Sequence, residues 1–578
     1  MAVGGAPSGE RPDAAGSASA PGAMTAMAAL VAVSLAFFVV RLYAAARVGF
    51  GDSEALYAAY AAHPQPAYLD HPGMIGVVAR AIGLGRPPVP WPAHVATAVL
   101  ATAFPWLMFV ACRTCGAPRE RAAAAALVVA LVPEMAIGLF ALTPDLLLAL
   151  CWTAVLALVA AGLRAAPRGA AAAACFAAAG VLAGIAAASK ITGVLLWAAL
   201  LLTYARRPAR AHARTVAPWL GLAAGALVFA PVVAFEARAG WPMLRHRLVD
   251  TQGAAGISLR NAGALFFGQL VYLSPVTAGL AFTAARNLWQ KGRPGLSRAG
   301  KPRSLPWQRS PISEQGRPRA QDSVTTWLRA ATFVPAVILV PLCLWSRVAE
   351  PHWLAPALLA LAPAAARVPT TTGHPAFSGR WVRAACVIGF CLIALVHAWV
   401  LIPAAVRLAP AATYDPRLDI TNELFGWPDV TSVVRAELRH LPPDAAVAAP
   451  HWVLCAQLEA ALHGEADVGC NTPVEDDFDR WLPRAQWRAR DALVWVTDAR
   501  FPFPPPGSDR VLLRSTVFRV ERADRTVRTF TIAVYAREAG ARRSPPRGTS
   551  IAGSMPSSAE ALRRAIASGL RAPPGSTW

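Results

Sequence analysis

Two short stretches near the N-terminal end hold the residues best suited to chemistry: Gly51-Asp52-Ser53-Glu54-Ala55-Leu56-Tyr57 and Tyr68-Leu69-Asp70-His71-Pro72-Gly73. Both lie in the loop after the first apolar block of a chain whose apolar part contains few acidic residues. Asp145 follows Thr143-Pro144 at the start of a later apolar block, and Glu236, Asp250 and Glu350 lie in further loops. Carboxylates take and give protons, whereas Lys190, Arg245, Arg247 and His352, with His71, are donors suited to an anion such as a phosphate. Ionisable groups beside hydrocarbon are costly and as a rule mark a functional cavity. Set against this, loop carboxylates are commonly only solvated. Lys190 can be an interfacial anchor whose ammonium snorkels to the headgroups, and His71 and His352 can be structural hydrogen-bonders.

The elements that must position these residues are read from hydropathy. Of 578 residues, 55% are hydrophobic and only 15% charged, and the mean hydropathy is +0.41. Apolar blocks alternate with Arg- and Pro-rich breaks up to Val406 and then stop. A hydrocarbon core of ~30 Å needs about 20 apolar residues per helix. The blocks predict spans at 23–45, 93–111, 121–140, 144–163, 170–188, 191–205, 215–235, 262–284, 328–346, 353–367 and 381–405, of which 191–205 and 353–367 are the shortest. The expected fold is a polytopic α-helical membrane protein of about eleven helices with a small C-terminal α/β soluble domain. Residues 1–22 and 539–578 are expected to be disordered, 23–405 to form the membrane domain and 406–538 the soluble one.

The net charge of +22 does not point to nucleic acid, because the arginines flank hydrophobic blocks, as topology determinants do. They gather at 113–121, 164–168, 206–214 and 285–327. By the positive-inside rule that side is cytoplasmic, which leaves loops 46–92 and 236–261, the turns at Asp145 and Glu350, and everything after 405 outside. The N-terminus is then cytoplasmic and the C-terminal domain periplasmic or extracellular. In that domain, Trp427–Leu441 has helical spacing, Ala445–Ala449 and Ala492–Val496 read as short buried strands, and Val511–Val520 with Thr526–Ala536 as a hairpin. Cys112 and Cys115 form a C-x-x-C pair with no second pair, which reads as two ordinary thiols and not as a metal site. Cys455 and Cys470 can form a disulfide in an oxidising compartment.

The first-loop stretches resemble the dolichyl-phosphate-mannose protein mannosyltransferase-like family of C-type glycosyltransferases, which includes the bacterial lipid A aminoarabinose transferases. Glu54, Ala55 and Tyr57 match the family's Asp-Glu-Ala-Tyr-Tyr motif, with Ser53 in its Asp slot and Asp52 one residue earlier. Asp70, His71 and Pro72 match its Tyr-Phe-Asp-His-Pro-Pro motif, and Gly73 replaces the last proline. Thr143-Pro144-Asp145, the Gly184 to Lys190 stretch, Pro231 to Leu248, Glu350-Pro351-His352-Trp353 and Phe425-Gly426-Trp427 resemble later motifs in order.

The resemblance implies a membrane glycosyltransferase that moves a hexosyl or pentosyl group from a polyprenyl-phosphate carrier to a lipid, glycan or protein acceptor, with inversion, at the outer face of a bacterial inner membrane. Such transfer passes through an oxocarbenium-like transition state. It needs a carboxylate to take the acceptor's proton and cations or a divalent metal to hold the leaving phosphate. The catalytic candidates are Asp52, Glu54, Asp70 and Asp145; the resemblance places the base in the first loop, where Asp52 is the preferred candidate and Glu54 the alternative. The donor-binding candidates are His71, Lys190, Arg245, Arg247, Glu350 and His352; ligands for a metal are not identified. Competing classes are a catalytically inactive member serving as an assembly subunit and a secondary transporter or flippase. The latter fits poorly with charges crowded on one face and no internal repeat.

Overall fold

The computed structural model describes residues 25–253, 255–290, 317–368, 379–507 and 509–537. The expected disordered ends, 1–22 and 539–578, and residues 291–316 of the arginine-rich loop lie outside them. All eleven expected membrane segments are helical. Seven are single helices long and apolar enough to cross a bilayer: Ala26–Ala45, Pro90–Thr114, Pro144–Arg164, Ala170–Ser189, Ala217–Ala239, Gln321–Trp345 and Gly379–Leu401. Two more are bent pairs, Arg119–Ala130 with Pro133–Phe140 (74°) and Leu259–Leu273 with Pro275–Gln290 (105°). Each bend falls just before a proline, which lacks the N–H and disfavours helix at the preceding residue. The last two segments are short: Ile191–Ala205, and 351–366, which is broken into Pro351–Leu354, Ala355–Leu359 and Leu361–Ala366.

Helix Pro144–Arg164 forms the centre of the bundle, with Trp152, Val155, Leu156 and Val159 fully buried. Helices Ala170–Ser189 and Ala217–Ala239 meet through glycines. A Cβ on Gly180 would lie 1.8 Å from the carbonyl oxygen of Gly221, and one on Gly225 would lie 2.3 Å from that of Gly180, so only residues without side chains allow this approach.

The C-terminal domain carries a five-stranded sheet in the order β2-β1-β3-β5-β4. Its strands are β1 (Ala446–Ala449), β2 (Val468–Cys470), β3 (Ala492–Asp498), β4 (Arg510–Arg522) and β5 (Arg525–Arg537). β1 runs parallel to β2 and β3, and β5 pairs antiparallel with β3 and β4. The expected hairpin closes through Ala523 and Asp524, both at positive φ (51° and 67°), the twist a two-residue hairpin loop requires. The expected helix is present as Trp427–Leu438. Helix Trp452–Leu462 and strand β2 were not expected: the helix is buried on nearly every face, which erases the amphipathic period, and the strand has only three residues. Cys455 and Cys470 are disulfide-bonded, joining that helix to β2.

The domain is not a separate appendage. Tyr57, Tyr60, Tyr68 and Ile75 of the first loop share one hydrophobic core with Leu454, Leu458 and Phe478. Gln457 donates to the carbonyl of Phe50 (2.9 Å).

Candidate active site

The first loop folds into two short helices, Asp52–Ala59 and Met74–Ile82. The first starts where the Glu54 carboxylate accepts from the Gly51 N–H (3.0 Å), a capping contact. Between the helices the chain makes a tight turn in which Tyr68 donates its N–H to the His71 carbonyl (2.9 Å) and Gly73 to that of Pro66 (2.7 Å). A Cβ on Gly73 would sit 2.1 Å from the Gln65 carbonyl oxygen. The departure from proline at this position is therefore accommodated by a turn with no room for a side chain.

That turn presents Asp70 and His71 to a polar cavity of about 330 Å³ at the mouth of the bundle. Asp145, Lys190, Arg247, Glu350 and His352 line the same cavity. Lys190 closes helix Ala170–Ser189 in extended conformation, and its ammonium donates to both Asp145 oxygens (2.7 and 2.8 Å). His352 Nε2 lies 3.4 Å from that ammonium, and its Nδ1 lies 3.1 Å from Glu350. Burial alone would push Glu350 up, but His352 and Lys190 hold it below the usual carboxylate range. Arg247, in a π-helical turn over 246–250, contacts the Asp70 carboxylate (3.2 Å) and donates Nε–H to the Asp70 carbonyl (3.1 Å). The Nη2 that meets the Asp70 carboxylate also faces His71 Nε2 at 3.4 Å. Burial and the neighbouring Arg247 and Lys190 charges keep His71 neutral, its pKa well below the ordinary value.

Three candidates stand elsewhere. Arg245 is 73% exposed and pairs with Asp250 at 3.5 Å. Glu54 is buried beneath the loop, accepting from Gly51, from the Leu142 N–H (2.7 Å) and contacting His94 Nε2 (3.1 Å). Burial raises its pKa, but these partners outweigh it and hold the carboxylate ionised. Asp52 faces a second, adjoining hollow of about 350 Å³. There it pairs with Arg500 (2.8 Å) and accepts from Gln457 (3.3 Å). Ser53 lines both spaces.

The C-terminal domain supplies walls that the sequence reading did not assign: His451, Thr472, Asp476 and Asp477 on the main cavity, and Glu423, Asp498 and Arg500 on the second. The acidic run Glu475-Asp476-Asp477 was the one available signal. Burial, reinforced by Asp70 and Asp476, pushes Asp477 up to about 8. Among the described residues no group of three or more His, Cys, Asp or Glu is disposed to hold a metal ion. An apolar slot of about 330 Å³ runs between helices from Arg121 to Glu134, walled by Val128, Leu273, Leu280 and Leu358. Trp353 on the cavity and Ala355 on the slot are two residues apart, and the ring of Tyr272, next to Leu273 of the slot, faces His352 of the cavity at 6.5 Å, so the two spaces lie side by side.

Residues 70–235 match the family model described as dolichyl-phosphate-mannose-protein mannosyltransferase. The fold agrees: ArnT from Cupriavidus metallidurans bound to undecaprenyl phosphate superposes with a TM-score of 0.52 at 16% identity, over 87% of this chain and 97% of that one. The same protein in the apo state gives 0.53 at 16% identity over the same shares. No protein of curated function matches the sequence. The chain is thus a multi-pass membrane protein of the C-type glycosyltransferase fold, with mannosyltransferase-like motifs on the cavity.

Proposed function

We propose that the protein is an inverting glycosyltransferase that takes a sugar from a polyprenyl-phosphate carrier at the outer face of a bacterial inner membrane. The observation that carries this reading is the juxtaposition of a cation-bearing polar cavity with an apolar slot among membrane helices. An amphiphile with an anionic head and a long hydrocarbon tail fits such a pair of spaces. Lys190 and Arg247 meet the phosphate, with His352 oriented by Glu350 beside them. ArnT, bound to undecaprenyl phosphate in one structure, has the same fold.

In the reaction the acceptor's hydroxyl oxygen bonds to the sugar's anomeric carbon as the bond from that carbon to the phosphate oxygen breaks. The electron pair leaves with the phosphate, and the hydroxyl proton passes to a carboxylate. Asp52 is the proposed base. Each carboxylate oxygen carries two lone pairs; contacts from Gln457, Arg500 and Glu423 leave Asp52 capacity for a further donor. Glu54 has its oxygens committed to Gly51, His94 and Leu142. The outer face is supported by the arginine asymmetry and by the Cys455–Cys470 disulfide, a bond of oxidising compartments.

Deletion should remove one glycan species and make a polyprenyl-phosphate-linked sugar accumulate. Reporters fused after Arg207 should be cytoplasmic, and those after Ile402 external. Unchanged lipid and glycan profiles, or a cytoplasmic C-terminal domain, would refute the reading.

A further inference from the structure

Glu423 lies between the last membrane helix and the sheet domain, and the backbone around it is pinned to both halves of the molecule. The Leu424 carbonyl accepts the Gly49 N–H at 2.8 Å. The Glu423 carbonyl accepts Trp427 Nε1–H at 3.1 Å and Arg528 Nη1–H at 3.4 Å. The side chain turns to the start of the first-loop helix. A Cβ on Gly51 would stand 2.9 Å from Glu423 Oε1, so the glycine keeps that place open. The Asp52 N–H donates to the Glu423 carboxyl, and the two carboxyl groups are themselves hydrogen-bonded.

Two carboxyl groups in contact away from water cannot both be ionised, and their surroundings decide which keeps the proton. Asp52 pairs with Arg500 at 2.8 Å and accepts from Gln457 at 3.3 Å. Among the described residues no ion pair reaches Glu423. The charged groups around it are Asp52 and Glu54 on the first-loop helix, Asp498 and Arg500 at the end of β3, and Arg528 on β5. Both arginines are already bonded to Asp498, at 2.9 Å each. The proton therefore stays on Glu423, whose pKa burial and Asp52 raise well above the ordinary value.

We infer that Glu423 is a positioning residue for the proposed base: as a neutral carboxylic acid it donates to Asp52 and fixes the direction of the carboxylate's remaining lone pair. This rests on the transferase reading above. During transfer the acceptor's O–H bond breaks and its proton joins Asp52, while Glu423 keeps its own. The pair passes from one proton to two, and one returns to water afterwards. A neutral donor holds Asp52 with less loss of basicity than a second cation would cause. As pH rises through the Glu423 pKa the pair becomes doubly anionic, the hydrogen bond is lost and transfer falls.

Infrared difference spectroscopy of the full chain in proteoliposomes reads this proton without any substrate. Wild type minus Glu423→Gln at neutral pH should show the carbonyl band of a protonated carboxylic acid, and Asp52→Asn, which removes the like charge, should lose that band. In single-turnover transfer from a labelled polyprenyl-phosphate sugar, Glu423→Leu should slow turnover by about tenfold or more, with undecaprenyl phosphate binding within about twofold of wild type. Glu423→Gln still donates an N–H to Asp52, so it should recover to within about threefold of wild type and lose the alkaline fall in rate. A band absent from wild type, or surviving in Asp52→Asn, overturns the inference. So does normal turnover by Glu423→Leu at a lowered melting temperature, which would make the side chain structural only. A Gln variant as slow as the Leu variant, or one that keeps the alkaline fall, also overturns it. A wild-type chain that binds no undecaprenyl phosphate and transfers no sugar refutes the transferase reading, and the positioning role with it, whatever the band shows.

Discussion

Replacing Asp52 by Asn removes the proposed proton acceptor and little else. The side chain is 8% exposed, with Arg500 Nη1 at 2.8 Å. Asn keeps the volume and an oxygen for Gln457, and Arg500 retains its second partner, Asp498, at 2.9 Å. The fold should therefore lose less than the ~3–5 kcal/mol typical of breaking a buried pair outright. Turnover should fall by ~10²–10⁴, or about 2.7–5.5 kcal/mol of barrier at ~1.36 kcal/mol per decade. The assay is single-turnover transfer in proteoliposomes from a labelled polyprenyl-phosphate sugar, with carrier binding measured separately and expected to be unchanged. Glu54→Gln is the comparison. It places an amide where three donors converge, so its effect should register as a lowered melting temperature. If Asp52→Asn transfers normally while Glu54→Gln abolishes turnover at unchanged melting temperature, the base is Glu54. If both remain active, the first loop does not supply the base and Asp145 is the next candidate.

Arg247→Gln should weaken undecaprenyl phosphate binding by about ten- to hundredfold, the scale of a charge-assisted hydrogen bond, whereas Arg245→Gln, on an exposed pair, should change it little; equal effects would remove Arg247 from the phosphate site. Asp477 has a raised folded pKa, so its contribution to stability is complete below its ordinary value of 3.8 and is lost as pH rises to about 8. Asp477→Asn keeps an acceptor oxygen for the Leu69 N–H (3.0 Å) and should flatten melting temperature against pH over that window; an unaltered slope would show that another group titrates. Cys455→Ser opens a loop of sequence separation 15, which should cost the C-terminal domain about 3 kcal/mol, read as a lower unfolding midpoint that reductant no longer shifts; a variant as stable as wild type would show that the bond constrains nothing.

What the sequence made legible is what hydrocarbon enforces. Spans announce themselves by length, and the scarce charges beside them, Asp70, Asp145, Lys190 and Glu350, do meet around one cavity. Other features depend on contacts far apart in sequence. That Arg247 faces Asp70 while Arg245 faces solvent is set by how the 242–250 segment packs on the first loop, 177 positions away in sequence. The distinction between Asp52 and Glu54 was equally hidden, because it is set by residues 405 and 448 positions away on one side and 40 and 88 on the other. Helix Trp452–Leu462, buried on nearly all faces, resembles a sheet strand or a short span as much as a domain helix.

The C-terminal domain completes the walls of the proposed site. Its β2–helix loop, Thr472 to Phe478, walls the main cavity opposite the membrane residues, and its Arg500 holds the carboxylate proposed as base. Tyr60 and Tyr68, stacked at 3.5 Å in the first loop, are closed over by Trp481 and Phe478 of the domain. Burying such aromatic pairs is what fixes the loop, and the loop fixes Asp52 and Asp70 in turn. The membrane bundle provides Lys190, Arg247 and the apolar slot. The geometry of the carboxylates depends on a domain that begins only after the last helix has ended.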